Sequence, residues 1–168
     1  GLRTVVLRMS SIYGPRQFAT FSQGWVSWFI FKALEGKAFT IHGDGKQVRD
    51  LLHVSDLTKA FVKCASDDKA WGQIFNIGGG PESSLSLVEL FATLEERLSI
   101  NLDYEKKPPR PADQKVYISD IRKLHQIVNW VPQTKIKDGI EQQIDWVQKH
   151  LALLQEATAE EDTHLKVK

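Results

Sequence analysis

The sequence predicts an α/β domain built on parallel strands, and three observations carry that expectation. Val5, Val6 and Leu7 form a β-branched apolar run without polar alternation, the pattern of a strand buried on both faces. Apolar residues recur at helical spacing over 25–34, 57–64, 87–98 and 140–154. The chain has 168 residues, 42% of them apolar and 26% charged, which suits one domain with one substantial core.

Taken in order, the first strand is followed by a loop from Ser10 to Gln23 that carries the turn Gly14-Pro15. A strongly apolar helix with Trp25, Trp28, Phe29, Ile30 and Leu34 then ends near Gly36. Strands are predicted at 38–42 and 48–53, separated by Gly43-Asp44-Gly45. Ser55 or Asp56 is the expected cap of a helix that buries Leu57, Ala60, Phe61 and Cys64. A strand at 73–77 stops at Gly78-Gly79-Gly80-Pro81. Ser86 and Glu89 have capping-box spacing ahead of a helix with Leu87, Leu90, Phe91, Leu94 and Leu98 inward. A weak strand at 102–105 precedes Pro108-Pro109-Arg110-Pro111, which must be an extended loop. Ser119 is the expected cap of a helix through Ile127. Ile140, Ile144, Val147, Leu151 and Leu154 predict one long amphipathic helix, with a polar, frayed tail over 157–168 behind the functional part, 1–156.

Lysine plus arginine number 22 and aspartate plus glutamate 21, a net charge of +1, so the basic excess of a nucleic-acid binder is missing. Cys64 is the single cysteine; it reads as a small buried hydrophobe, and it fits a reducing, cytoplasmic setting. No apolar run approaches the roughly 20 residues that span a bilayer, so no membrane role is expected. The glycine clusters do not form G-x-G-x-x-G, and Tyr13, Tyr104 and Tyr117 are followed four residues on by Gln17, Pro108 and Ile121, never by lysine. The five histidines show no metal-ligand spacing, and no metal site or self-contained catalytic set is predicted.

Several strings point to chemistry when taken together. Arg8-Met9-Ser10-Ser11-Ile12-Tyr13-Gly14-Pro15 is followed by Gly43-Asp44-Gly45-Lys46-Gln47-Val48-Arg49-Asp50 and His53-Val54-Ser55-Asp56. Phe75-Asn76-Ile77-Gly78-Gly79 and Arg110-Pro111-Ala112-Asp113 complete the series. In this order and spacing the chain resembles the C-terminal half of the extended short-chain dehydrogenases/reductases that act on nucleotide sugars. Arg16-Gln17-Phe18-Ala19-Thr20, Gln23-Gly24-Trp25 and Ser84-Leu85-Ser86-Leu87 bring it nearest to the members that invert C2 of a CDP-linked sugar.

The resemblance implies the late strands of a Rossmann-type sheet plus a small mixed α/β substrate-binding subdomain. It implies NAD as cofactor, a nucleotide sugar as substrate, and an N-terminal half that carries the glycine-rich loop and the Tyr-x-x-x-Lys pair. In such an enzyme the sugar hydroxyl is oxidised, the keto-sugar turns, and hydride returns to its other face. This chain alone is then inactive, and its uncovered strand and helix invite self-association. A UDP- or dTDP-sugar 4-epimerase or 4,6-dehydratase is the alternative parent. A stand-alone nucleotide-binding or interaction module is the alternative from another class.

The candidate site residues follow from residue type and resemblance together. Arg49 offers the planar fork that a diphosphate wants, against a surface salt bridge to Asp50 or Asp44. Arg110 sits in a proline-stiffened loop that loses little entropy on binding, and Asp113 can accept from ribose hydroxyls. By resemblance Met9 and Ser10 lie beside the cofactor and Ser11 near the diphosphate. Thr40 and His42 share one strand face, which the resemblance sets against the base. Arg16, Gln17, Gln23 and Trp25 are candidates to close over the sugar, Trp25 being equally readable as core. Asn76 and Gly78–Gly80 are assigned to a strand end and a tight turn.

Overall fold

Parallel pairing organises the chain, as the apolar runs predict. The computed structural model describes residues 1–18, 20 and 24–165. Strand β1 (Val6–Met9) pairs in parallel with β5 (Ile74–Ile77), with Val6 opposite Ile74. Strand β2 (Ser11–Tyr13) pairs in parallel with β4 (Val48–His53), and β3 (Phe39–His42) with β7 (Tyr104–Lys107). β4 also takes β6 (Ser84–Ser86) antiparallel and the short β8 (Val116–Tyr117) parallel. It is therefore the hub of the fold.

The helices are α1 (Trp25–Glu35), α2 (Val54–Ser66), α3 (Leu87–Leu98), α4 (Arg122–Val128), α5 (Ile136–Lys149) and α6 (Leu151–Leu165). Gly36 ends α1 at φ 64°, a left-handed cap that only glycine adopts without strain. The capping box at α3 forms in full: Ser86 Oγ accepts the Glu89 N–H, and Glu89 accepts the Ser86 N–H at 2.7 Å.

Two apolar clusters hold these elements. In the larger, Phe29 of α1, Phe39 of β3, Phe91 of α3 and Tyr104 of β7 meet ring against ring, with centroids 5.0–5.8 Å apart. α5 closes this cluster through Ile140, Ile144 and Val147. In the smaller, Leu57, Ala60 and Cys64 of α2 pack with Phe75 and Ile77 of β5 and Leu124 of α4. Cys64 is buried there as a hydrophobe, and burial pushes its thiol pKa up.

Several expectations need correcting. β1 is parallel but not buried on both faces: Val6 and Met9 are about half exposed, because its outer side has no strand against it among the described residues. The segment after Ser10 is not all loop, since Ser11–Tyr13 finds Leu51–His53 as a partner and Tyr13 is buried. His53, not Ser55 or Asp56, caps α2, its Nδ1 accepting the Ser55 N–H. Phe61, assigned inward, is nearly half exposed. Ser119 does not cap α4; its hydroxyl is buried without a partner among the described residues, and Asp120 accepts the Arg122 N–H instead. The long C-terminal helix breaks at His150, whose N–H is shared between the Trp146 and Val147 carbonyls, and α6 begins at Leu151.

Candidate functional site

Strand ends, one helix start and one proline-rich turn open onto a single cavity of about 230 Å³. Seven sequence-predicted residues line it: Ser11 of β2, Trp25 at the start of α1, Thr40 and His42 of β3, Arg49 of β4, and Arg110 and Asp113 from the β7–β8 connection. Residues distant in sequence meet there because β4 carries β2 and β8 on its flanks, while β3 holds β7 in register as far as His42 opposite Lys107.

The floor is apolar, made by Trp28, Phe29, Ile41 and Leu87, and Gln47 adds an amide at the wall. The sequence assigns Trp28 and Phe29 to an apolar helix, Leu87 to an inward helix face and Ile41 to a strand, and it does not single out Gln47, whose side chain donates to the His42 carbonyl at 3.0 Å. Only its place one strand-turn from Thr40 and His42 could have flagged it.

Arg49 is held from two sides. Its Nη1 donates to the Val48 carbonyl and its Nη2 to Asp113 Oδ1, each at 2.8 Å. The salt-bridge partner is thus Asp113 rather than Asp50 or Asp44. A guanidinium has five N–H donors, so this arrangement leaves donors for an incoming anion. Asp113 is fixed by a turn in which its N–H reaches the Arg110 carbonyl at 3.2 Å. Pro111 holds the turn's second position, and Ala112 its third at φ 61°, where glycine ordinarily stands. A side-chain-bearing residue held there carries strain at the cavity mouth.

The Trp25 indole N–H donates to Ser11 Oγ at 3.3 Å, leaving the hydroxyl proton of Ser11 available. His42 Nδ1 lies 3.1 Å from the Pro108 carbonyl, and Thr40 faces the same way two residues before it.

The remaining candidates are elsewhere. Arg16 is exposed at φ 72° and is not among the cavity-lining residues. Gln17 is structural in its contacts: its Nε2 donates to the Ile12 carbonyl at 3.0 Å, and its Oε1 accepts from Ser27, which in turn accepts from Gln143 of α5. Gln23 lies outside the described residues. Met9 and Ser10 sit at the end of β1, away from the cavity, and the Ser10 hydroxyl is spent on the Asp50 carbonyl at 3.2 Å.

Comparison with known proteins agrees with this geometry. Residues 1–78 match the profile of the NAD dependent epimerase/dehydratase family. CDP-paratose 2-epimerase of Salmonella typhi is 47% identical over 152 residues, covering 87% of this chain and 45% of that protein. The solved UDP-glucose 4-epimerase of Thermotoga maritima with UDP-glucose superposes with a TM-score of 0.81 at 31% identity, covering 89% of this chain and 47% of that one. The UDP-glucuronic acid 4-epimerase of Bacillus cereus, solved with UDP-glucuronic acid and NAD, gives 0.78 at 28% identity, covering 86% and 45%. The chain spans about half the length of the relatives it matches.

A dinucleotide needs a glycine-rich strand-to-helix turn for its diphosphate, and none occurs in this sequence. The end of β1 offers only the Met9 side chain and a serine already hydrogen-bonded, a flank rather than a binding site. These residues do not by themselves hold the cofactor. Cavity, strand pairing and sequence similarity nevertheless converge on a likeness to the NAD dependent epimerase/dehydratase family.

Proposed function

We propose that this chain is the nucleotide-sugar-binding part of an NAD-dependent epimerase of the same kind as the CDP-paratose 2-epimerase it resembles. The observation that carries the reading is the cavity itself: two arginines, an aspartate, hydroxyl groups and an imidazole line it together over an aromatic floor. A nucleoside diphosphate needs that set of groups. Its charge is met by Arg49 and Arg110, its ribose by Asp113, and its base by Thr40 and His42. Asp113 keeps Arg49 oriented through one carboxylate oxygen, and its other oxygen remains an acceptor for a ribose hydroxyl.

Anchoring at the diphosphate suits an epimerase, because binding energy spent far from the reacting carbon holds the sugar without fixing which face it presents. The hydride-transfer machinery belongs to the part of the family fold that carries the glycine-rich loop and the Tyr-x-x-x-Lys pair. The open side of β1 is where that part joins the sheet. A UDP-sugar 4-epimerase is the second reading, favoured by the superposition on the T. maritima enzyme.

Two measurements test the proposal. Calorimetric titration of CDP into the chain is expected to show one site, weakened about tenfold or more by Arg49→Met and only partly restored by Arg49→Lys, which lacks the fork. Absence of any CDP or UDP binding overturns it. The purified chain is also expected to show no NAD-dependent epimerisation, and turnover by these 168 residues alone would overturn the assignment of the chemistry to another part of the fold.

A further inference from the structure

We infer that His42, locked into one tautomer by the Pro108 carbonyl, selects cytosine over uracil at this cavity. The inference rests on the proposal that a pyrimidine nucleotide binds there, and it concerns which base.

A carbonyl oxygen only accepts, so the 3.1 Å contact between His42 Nδ1 and Pro108 O requires the proton on Nδ1. A neutral imidazole carries one donor and one acceptor, which leaves Nε2 as a bare acceptor. Nε2 has no partner among the described residues, and the ring lines the cavity. The tautomer cannot switch cheaply, because both groups that fix it are rigid. Pro108 is followed by Pro109, which restricts both backbones, and β7 delivers Pro108 directly from the register pair His42 and Lys107. The His42 backbone is held by the β3–β7 pairing and by Gln47, whose amide donates to its carbonyl.

The two pyrimidines differ at the position such a group would read. Cytosine carries an amino donor on C4, and uracil carries a carbonyl acceptor there. A bare Nε2 accepts from the amino group but opposes the carbonyl lone pair with its own. In a cavity floored by Trp28 and Phe29, the mismatch costs the base a hydrogen bond that it makes in water. Thr40 stands on the same strand face, but a hydroxyl rotates to donate or accept and so serves either base. Discrimination therefore falls to the imidazole. A site built around one polar match rejects the mismatch more strongly than shape alone does.

The test is calorimetric binding of three ligands to the full chain: CDP, UDP and the diphosphate of the 4-unsubstituted pyrimidin-2-one riboside. CDP is expected to bind about tenfold or more tighter than UDP, with the unsubstituted analogue between them. His42→Phe keeps a flat ring without nitrogen and is expected to bring the CDP/UDP ratio close to one by weakening CDP. His42→Gln, whose amide can present either end, is expected to bind both bases with little preference, and it serves as the second reading should His42→Phe not fold. Thr40→Val is expected to weaken both nucleotides alike. Equal binding of CDP and UDP by the unaltered chain, or an unchanged ratio in His42→Gln, overturns this inference and leaves the nucleotide cavity standing. Failure of every nucleotide to bind overturns both.

Discussion

Single residues show why some of the sequence could be read only in part. Gly78, Gly79 and Gly80 look like a turn that needs backbone freedom, yet only Gly80 has positive φ, at 70°. The other two are glycines for want of space. A Cβ on Gly78 would overlap the Asp50 carboxylate and come within 2.7 Å of Ser10 Oγ, while one on Gly79 would overlap the Leu51 carbonyl. Asp50 is fully buried, and its Oδ2 accepts the Gly80 N–H at 3.2 Å, so the end of β5 is clamped onto the strand that carries Arg49. Gly78→Ala is therefore expected to cost about 3 kcal/mol or more, the upper end of overpacking. Gly72→Ala, at φ 77° with open space around it, is expected to cost only about 1–2 kcal/mol, the left-handed penalty alone. Urea unfolding of both variants checks the order, and a Gly78→Ala no worse than Gly72→Ala would show that the clamp yields.

At the scale of elements, what was legible were features set by local chemistry. The α3 capping box, the α1 glycine cap and the proline loop depend on a few neighbouring residues, and all three were readable. β2 and β8, three and two residues long, exist only because β4 lies beside them, and no local pattern announces that. The arginine of the site was legible by type, but its aspartate partner was not, because the turn at Ala112 decides which carboxylate arrives. The start of α2 shows the same dependence and gives a pH prediction. Burial holds the His53 pKa below its ordinary value, with Lys59 adding to this against the opposing pull of Asp56. Asp56 pays a burial penalty that would raise its pKa, but the backbone N–H groups of Gln133 and Thr134 and the Lys59 ammonium outweigh it and hold the carboxyl low. Both folded values lie below the unfolded ones, so each group stabilises the protein fully above its unfolded pKa and loses that contribution as pH falls through the folded value. His53 is expected to act first, below about pH 6.5, and Asp56 later, below about pH 3.9. Urea midpoints measured across that range should fall in two stages. His53→Gln should remove the upper stage, and its persistence in that variant would assign it to another group.

On the whole-molecule scale, the apolar surface is distributed unevenly. The cavity face is closed by β3, β4 and the β7–β8 turn, whereas another side leaves Val6, Met9, Ile74 and Phe61 exposed around the free side of β1. Phe61 is 47% exposed, high for a phenylalanine in the middle of a helix. It lines a second hollow with Val5, Leu7, Met9 and Trp71. A strand edge with unpaired N–H and carbonyl groups, flanked by apolar side chains, is a template for another strand. In the proposed enzyme that strand comes from the cofactor-binding part. Without it, the chain is expected to associate with itself, the molecular mass seen by light scattering rising with concentration. Val6→Lys on the edge and Phe61→Glu on the helix should each shift that curve to higher concentration, and Arg49→Met should not, because it lines the cavity and not this hollow. Supplying the N-terminal part of a family member should suppress association, since the same edge would then be paired. A mass that stays monomeric at every concentration would mean that the β1 edge protects itself, and the case for a covering strand would fall with it.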